Sequence, residues 1–257
     1  MIVRKSMKKI LFSTCIAAAT VTTATADNIT MTLDSMPNYE AYSVALNMRM
    51  SWDSSESVSF TAPSILAGER QWTNQYGREV ISYCIQLYQS ATVGETIEYS
   101  QTRDLSTVPG METAPGPMSG VQVGMVEDMY ARFIDGRTGM LADNTALTDG
   151  FDYATASAAF QLVLWEISHE DITGTTLEEA RDQLSMDLGA FRAAEASSAT
   201  ELIISSLGED GWESMNGLVG LHSATAQDQL MVVPLPAPMI LAGIGLIGVA
   251  AVRRKMR

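Results

Sequence analysis

Between Thr155 and Ser168 the chain is apolar on nearly every side when wound as a helix. That pattern predicts a helix buried all round, not one lying on a surface. Such a helix needs packing partners on several sides, so it sets the centre of whatever fold forms. Its middle carries a primary amide, Gln161. Burying that group without partners costs roughly 1–3 kcal/mol, so a neighbouring element must answer it. Positions 157, 158, 161, 165 and 168 share one helix face, and Trp165 stands one turn beyond Gln161, where it can cover the amide.

Upstream the hydrophobic period is two. Tyr42, Val44, Leu46, Met48, Met50 and Trp52 alternate with polar or small residues, which predicts a half-buried strand. Ser57 to Thr61 reads as another, stopped by Pro63. Val80 to Tyr88 and Glu95 to Gln101 follow, joined by a turn containing Gly94. In the first of these, Ile81, Tyr83, Ile85 and Leu87 form the apolar face, and Cys84 shares the other with Ser82 and Gln86. An irregular loop from Thr107 to Gly120, holding Pro109, Pro115 and Pro117, then separates two regimes.

Beyond the loop the period becomes helical. Val126, Met129, Tyr130 and Phe133 make one helix face. Thr176 and Glu179 form a capping box that opens an amphipathic helix with Leu177, Ala180, Leu184 and Leu188 inward. Gly189 breaks it before an Ala-rich continuation to Leu207. The predicted fold class is α+β: an N-terminal antiparallel β-sheet or sandwich region packed with a helical region over 27–216, followed by a linker over 217–232.

Both ends read as addresses. Arg4, Lys5, Lys8 and Lys9 precede an apolar run from Ile10 to Ala19, and small residues lead to a cleavage point between Ala26 and Asp27, so residues 1–26 form a secretory signal peptide. At the other end Val233, Pro234, Leu235, Pro236 and Ala237 precede an apolar run from Met239 to Val252 and a basic tail. As a helix that run is only about 20–25 Å long, so spanning the bilayer needs tilt or local thinning. The basic tail leaves the body outside the cytoplasm.

This order of proline motif, apolar helix and basic end resembles the exosortase-processed sorting signals of the PEP-CTERM class, in their VPLPA variant. The resemblance implies a Gram-negative bacterium, an exosortase-type processing protease cutting near Pro234 to Ala237, an inner-membrane intermediate held by the C-terminal transmembrane helix, and delivery to the cell surface or extracellular matrix.

The exported body is strongly acidic. All 30 acidic residues lie between Asp27 and Asp228, against eight arginines and no lysine, a net charge of −22. Nucleic acid and anionic lipid are repelled by such a body and are not expected as partners.

Only Cys84 survives removal of the signal peptide, so it has no disulfide partner within the mature chain. If its strand faces the buried helix, its sulfur can attack the Gln161 carboxamide and expel ammonia. These segments resemble the thioester domains of bacterial surface adhesins: Tyr83-Cys84-Ile85 matches the aromatic-cysteine element, and Gln161 with Leu164-Trp165 matches the glutamine helix. Phe160 and Val163 depart from the threonine and alanine usual there. The resemblance implies a Cys84–Gln161 thioester shielded by Tyr83 and Trp165, and covalent capture of a surface amine, hydroxyl or polysaccharide in adhesion or matrix attachment.

Two other readings compete. In one, Cys84 and Gln161 only pack inside a non-covalent structural or exopolysaccharide-matrix protein. In the other, a cysteine hydrolase, an imidazole is needed beside the thiol, yet the two histidines, His169 and His222, read as solvated. No zinc spacing, phosphate loop, serine elbow or calcium loop is present, so the chain reads as a non-enzyme without metal or cofactor. Glu166, Glu170 and Asp171 beside His169 read as an acidic helix end.

Overall fold

The computed structural model describes residues 28–49, 57–110 and 115–234. The signal peptide with its Ala26–Asp27 junction, the sorting residues Leu235 to Ala237 and the C-terminal apolar run lie outside the described residues. Among the described residues no helix is long and apolar enough to cross a membrane.

Strands and helices are mixed, and the N-terminal half is mostly strand. Among the described residues nine strands run in chain order as β1 (Asn28–Ser35), β2 (Tyr39–Arg49), β3 (Ser57–Gly68), β4 (Arg70–Asn74), β5 (Glu79–Cys84), β6 (Thr96–Thr102), β7 (Phe191–Ala194), β8 (Leu218–His222) and β9 (Gln229–Val232). Six of them close an antiparallel barrel in the order β1-β4-β5-β9-β8-β6, and the rest form a sheet in the order β3-β2-β7. The helices are α1 (Gly120–Phe133), α2 (Ala146–Gly150), α3 (Tyr153–His169), α4 (Leu177–Arg181) and α5 (Ser198–Ser206).

The barrel has its own apolar filling. Alternation along β1 and β6 turns Ile29, Met31, Leu33, Ile97 and Tyr99 inward, where they meet Trp72, Leu221 and Met231. Trp72 and Tyr99 pack edge to face, with ring centroids 5.9 Å apart. A second, larger core gathers around α3, which packs on the β3-β2-β7 sheet beside α1 and α5. Fourteen consecutive residues of α3, Ala156 to His169, are buried, as the all-round apolar pattern requires. Asp152 caps its first turn through the Thr155 N–H at 3.1 Å.

Several expectations need correction. β3 runs straight through Pro63, because it is an edge strand and its register with β2 slips by one residue between Ala62 and Ile65; an edge position and a bulge are where a strand tolerates proline. The Cys84 strand and the strand after Gly94 do not pair with each other: β5 lies between β4 and β9, and β6 lies between β1 and β8. The segment read as a linker over 217–232 instead supplies β8 and β9, which complete the barrel.

The helix opened by the Thr176 capping box stops at Arg181, and Leu188 is 70% exposed. The Glu170 carboxylate accepts from the Ala190 N–H at 2.8 Å and the Phe191 N–H at 3.3 Å, and β7 then joins β2 in place of a continued helix. His169 is fully buried, not solvated. A sandwich is therefore replaced by a closed barrel beside a helix-covered sheet.

Candidate functional site

Gln161 meets Cys84. The Cys84 backbone N–H donates to Gln161 Oε1 at 3.0 Å, and Gln161 Nε2 donates to the Cys84 carbonyl at 2.7 Å. Both residues are fully buried.

Strand register explains the pairing. Ile85 N–H donates to Asp228 O on the β9 side at 3.0 Å, so the main-chain groups of Cys84 point the other way, towards β4. β4, however, begins at Arg70, opposite Ser82, and offers Cys84 no partner. The Gln161 carboxamide takes that vacant ladder position, supplying one donor and one acceptor as a peptide group would. Left unpaired, those two buried Cys84 groups would each cost about 1–3 kcal/mol.

Helix α3 is held against the strand ends along the face predicted from sequence. Ser157 Oγ accepts from the Glu69 N–H at 2.9 Å and lies 3.4 Å from the Tyr83 hydroxyl. Ser168 Oγ donates to the Ile85 carbonyl at 3.4 Å. The buried Glu69 carboxylate accepts from Asn38 Nδ2 at 2.7 Å and the Tyr153 hydroxyl at 3.1 Å, which fixes the start of α3 to the β3–β4 junction. That junction turns on Gly68, at φ +150°, where a Cβ would sit 2.1 Å from the Asn38 carbonyl oxygen.

Cys84 follows Ser82 on the face of β5 that looks into the barrel. Ser82 Oγ accepts from Trp72 Nε1 at 2.8 Å and donates to Gln229 Oε1 at 3.0 Å, which establishes that face as the inner one. The face read as the less apolar one is thus as buried as the other, because a closed barrel has an inside. Burial pushes the Cys84 thiol above its ordinary range, while Arg70 and the Trp165 indole pull it back.

The two residues expected to shield the centre are placed differently. Trp165 is fully buried one turn beyond Gln161, within electrostatic reach of the thiol, with its ring centroid 6.5 Å from that of Phe191. Tyr83 is also buried, but strand alternation turns it to the opposite face of β5, where it packs on Phe160 at 4.6 Å between centroids. Phe160 is thus part of an aromatic cluster that also includes Tyr130, 5.1 Å away.

Sequence reasoning missed Arg70 and Tyr130. Arg70 lies on the short strand β4, whose only advance signal was one Arg-x-Trp alternation. Tyr130 was read simply as part of an apolar helix face. Among the described residues no group of three or more metal-ligating side chains gathers. Glu166 and Glu170 are instead engaged with main-chain N–H groups of Ser185, Ala190 and Phe191.

Of the sorting residues, Val233 is half-buried and Pro234 exposed. A family model described as the PEP-CTERM protein-sorting motif matches residues 232–255. The chain therefore carries the signal of an exported surface protein that passes through a membrane-anchored intermediate and is sorted by an exosortase. No curated protein and no solved structure matches the chain.

Proposed function

We propose that this exported protein holds an internal thioester between Cys84 Sγ and Gln161 Cδ, and uses it to capture an amine or hydroxyl nucleophile covalently in adhesion or matrix attachment. The observation that carries the reading is the carboxamide of Gln161 bound at both ends to the main chain of Cys84. A carboxamide in that position lies edge-on in the ladder, whereas a strand side chain stands roughly perpendicular to it. The thiol therefore approaches the face of the amide, the direction from which a nucleophile adds to a carbonyl.

The Cys84 N–H on Oε1 is also placed to stabilise the negative charge that develops there on addition. The Sγ–Cδ bond forms, the Cδ–Nε2 bond breaks, and ammonia departs carrying the thiol proton. Capture reverses the exchange: an incoming amine forms an amide with Gln161 and the Cys84 thiol is released with the amine's proton. Full burial of both residues protects the bond from water until the site opens.

One observation favours a second reading. The two hydrogen bonds leave Gln161 satisfied without any covalent bond, so its role is complete if it only caps the ladder in a non-covalent matrix protein.

Intact mass of the purified chain without residues 1–26 separates the two. The thioester reading expects a mass short by one ammonia, with full mass restored in Cys84→Ala and in Gln161→Glu, and methylamine adding to the wild type alone. Protonated glutamic acid keeps one donor and one acceptor for Cys84, so that variant preserves the cap. A wild type at full mass with one titratable thiol leaves the capping role alone.

A further inference from the structure

Four buried polar atoms near Cys84 lack a hydrogen-bond partner: Arg70 Nε and Nη1, Trp165 Nε1 and the Tyr130 hydroxyl oxygen. They come from β4, α3 and α1. Buried donors in folded proteins are almost always paired, and three unsatisfied side chains around one sulfur are unusual. All three are donors. Arg70 is the most costly, being 6% exposed and forming no ion pair with a carboxylate among the described residues. An uncompensated buried cation costs several kcal/mol, so its site is built to receive negative charge.

Barrel geometry directs Arg70 to the thiol. Trp72 stands opposite Val80 and reaches diagonally to Ser82, two residues on, at 2.8 Å. Arg70 stands opposite Ser82, so the same diagonal one step along ends at Cys84. Such diagonals lie about 7–8 Å apart at the backbone, well within the span of an arginine side chain. Trp165 and Tyr130 are close enough to Cys84 to interact with it electrostatically. Tyr99, on the barrel side and also in electrostatic reach of the thiol, is engaged through its hydroxyl with the Gln227 carbonyl at 3.2 Å.

We infer that Arg70, with the Trp165 indole N–H and the Tyr130 hydroxyl, forms an anion-stabilising cradle for the Cys84 sulfur, holding the negative charge the sulfur carries as its proton passes to the Gln161 amide nitrogen that leaves as ammonia, and again when the sulfur leaves on capture. The inference rests on the thioester reading for the reaction it serves, but the cradle itself acts on the thiol whether or not the bond forms. In a dry site a thiol without such a cradle stays protonated and is a poor nucleophile. The cradle also answers the problem of the leaving group, because a stabilised thiolate departs more readily when an amine arrives.

The test takes the chain without residues 1–26, isolated in denaturant before it has ever folded so that Gln161 is still an amide, refolds it over a series of pH values and follows loss of ammonia by intact mass. Arg70→Gln should slow the reaction by about tenfold or more and displace its pH profile upward, while Arg70→Lys, which keeps the charge, should recover part of the rate. Tyr130→Phe combined with Trp165→Phe should slow it without changing the fold, and that pair decides the matter if Arg70→Gln does not fold. Wild-type rate and pH profile in folded Arg70→Gln, or in the Phe pair, would overturn the cradle while leaving the thioester intact.

If instead the wild type keeps its full mass, the thioester reading fails and the cradle is judged separately. The ultraviolet absorbance of the Cys84 thiolate should then appear at lower pH in the wild type than in the Phe pair. Coincident titrations would sink it.

Discussion

Deleting everything after Asp228 will abolish the cooperative fold, whereas deleting everything after Pro234 will leave it intact. The difference is β9. It lies between β5 and β8, so its loss opens the barrel and leaves two edges unpaired. All four of its residues are buried, and Leu230, Met231 and Val232 each contribute about 1.5–3 kcal/mol of apolar burial. Adding the two lost ladders brings the deficit to the size of a typical domain's whole stability, about 5–15 kcal/mol.

Near-ultraviolet circular dichroism and thermal melts of the two truncations make the comparison. A chain ending at Asp228 that melts as sharply as the longer one would show that the barrel does not need closure. The same fact bears on processing. The matched sorting motif begins at Val232, the last residue of β9, and the first exposed residue after it is Pro234. A cut at or beyond Pro234 spares the barrel, and a cut only a few residues earlier destroys it.

The position of β9 also explains what could and could not be read in advance. Long elements with one clear period were legible: the alternation of β2 over Tyr42, Val44 and Leu46, and the buried helix α3. The short barrel strands were not. β8 reads as Leu218, Val219, Gly220 and Leu221, too brief to distinguish from any apolar patch, and the β8–β9 connection carries Gln227 and Asp228, residue types that ordinarily face water. In the fold Asp228 is buried and accepts from the Gly110 N–H at 2.8 Å and the Ser223 N–H at 2.9 Å. Closure of a barrel depends on pairing between distant segments, such as β1 with β6, and no local period encodes it.

The candidate centre was legible for a different reason. A buried amide in an apolar helix demands a partner, and Cys84 was the one conspicuous residue on a nearby strand. Sequence gave the two residues but not their contact, because the carboxamide binds the Cys84 main chain at a place where β4 has yet to begin. That vacancy arises from strand register. Arg70 was invisible for the same reason: only the β4–β5 register sets it diagonal to the thiol.

Stability will be greatest in mildly acidic solution and will fall as the pH is raised towards 9. Two buried groups at the end of α3 shape this profile. Glu166 is fully buried by its surroundings; one carboxyl oxygen accepts from the Ser185 N–H at 2.7 Å and the other has no partner. Burial pushes its carboxyl up to about 9 from an ordinary 4.5. The folded chain thus binds a proton there that the unfolded chain releases. The stabilisation is complete below about pH 4.5 and is lost as pH rises through the folded value. By pH 8 the loss is on the order of 5 kcal/mol, and Glu170 and Asp228, also raised by burial, add to it in the same direction.

His169 acts at the other end. Burial drives its imidazole down to about 3 from 6.5, with Nδ1 bonded to the Trp165 carbonyl at 3.0 Å and Nε2 unpartnered. The unfolded chain takes up a proton below pH 6.5 that the folded chain refuses, so stability drains away in acid until pH 3. Between 4.5 and 6.5 the two effects oppose each other and the profile is flat. Melting temperatures from pH 3 to 9 should trace that dome. Glu166→Gln should flatten the alkaline limb and leave the acid one, and His169→Phe should do the reverse. An alkaline limb equally steep in Glu166→Gln would show that this carboxyl is ionised in the fold.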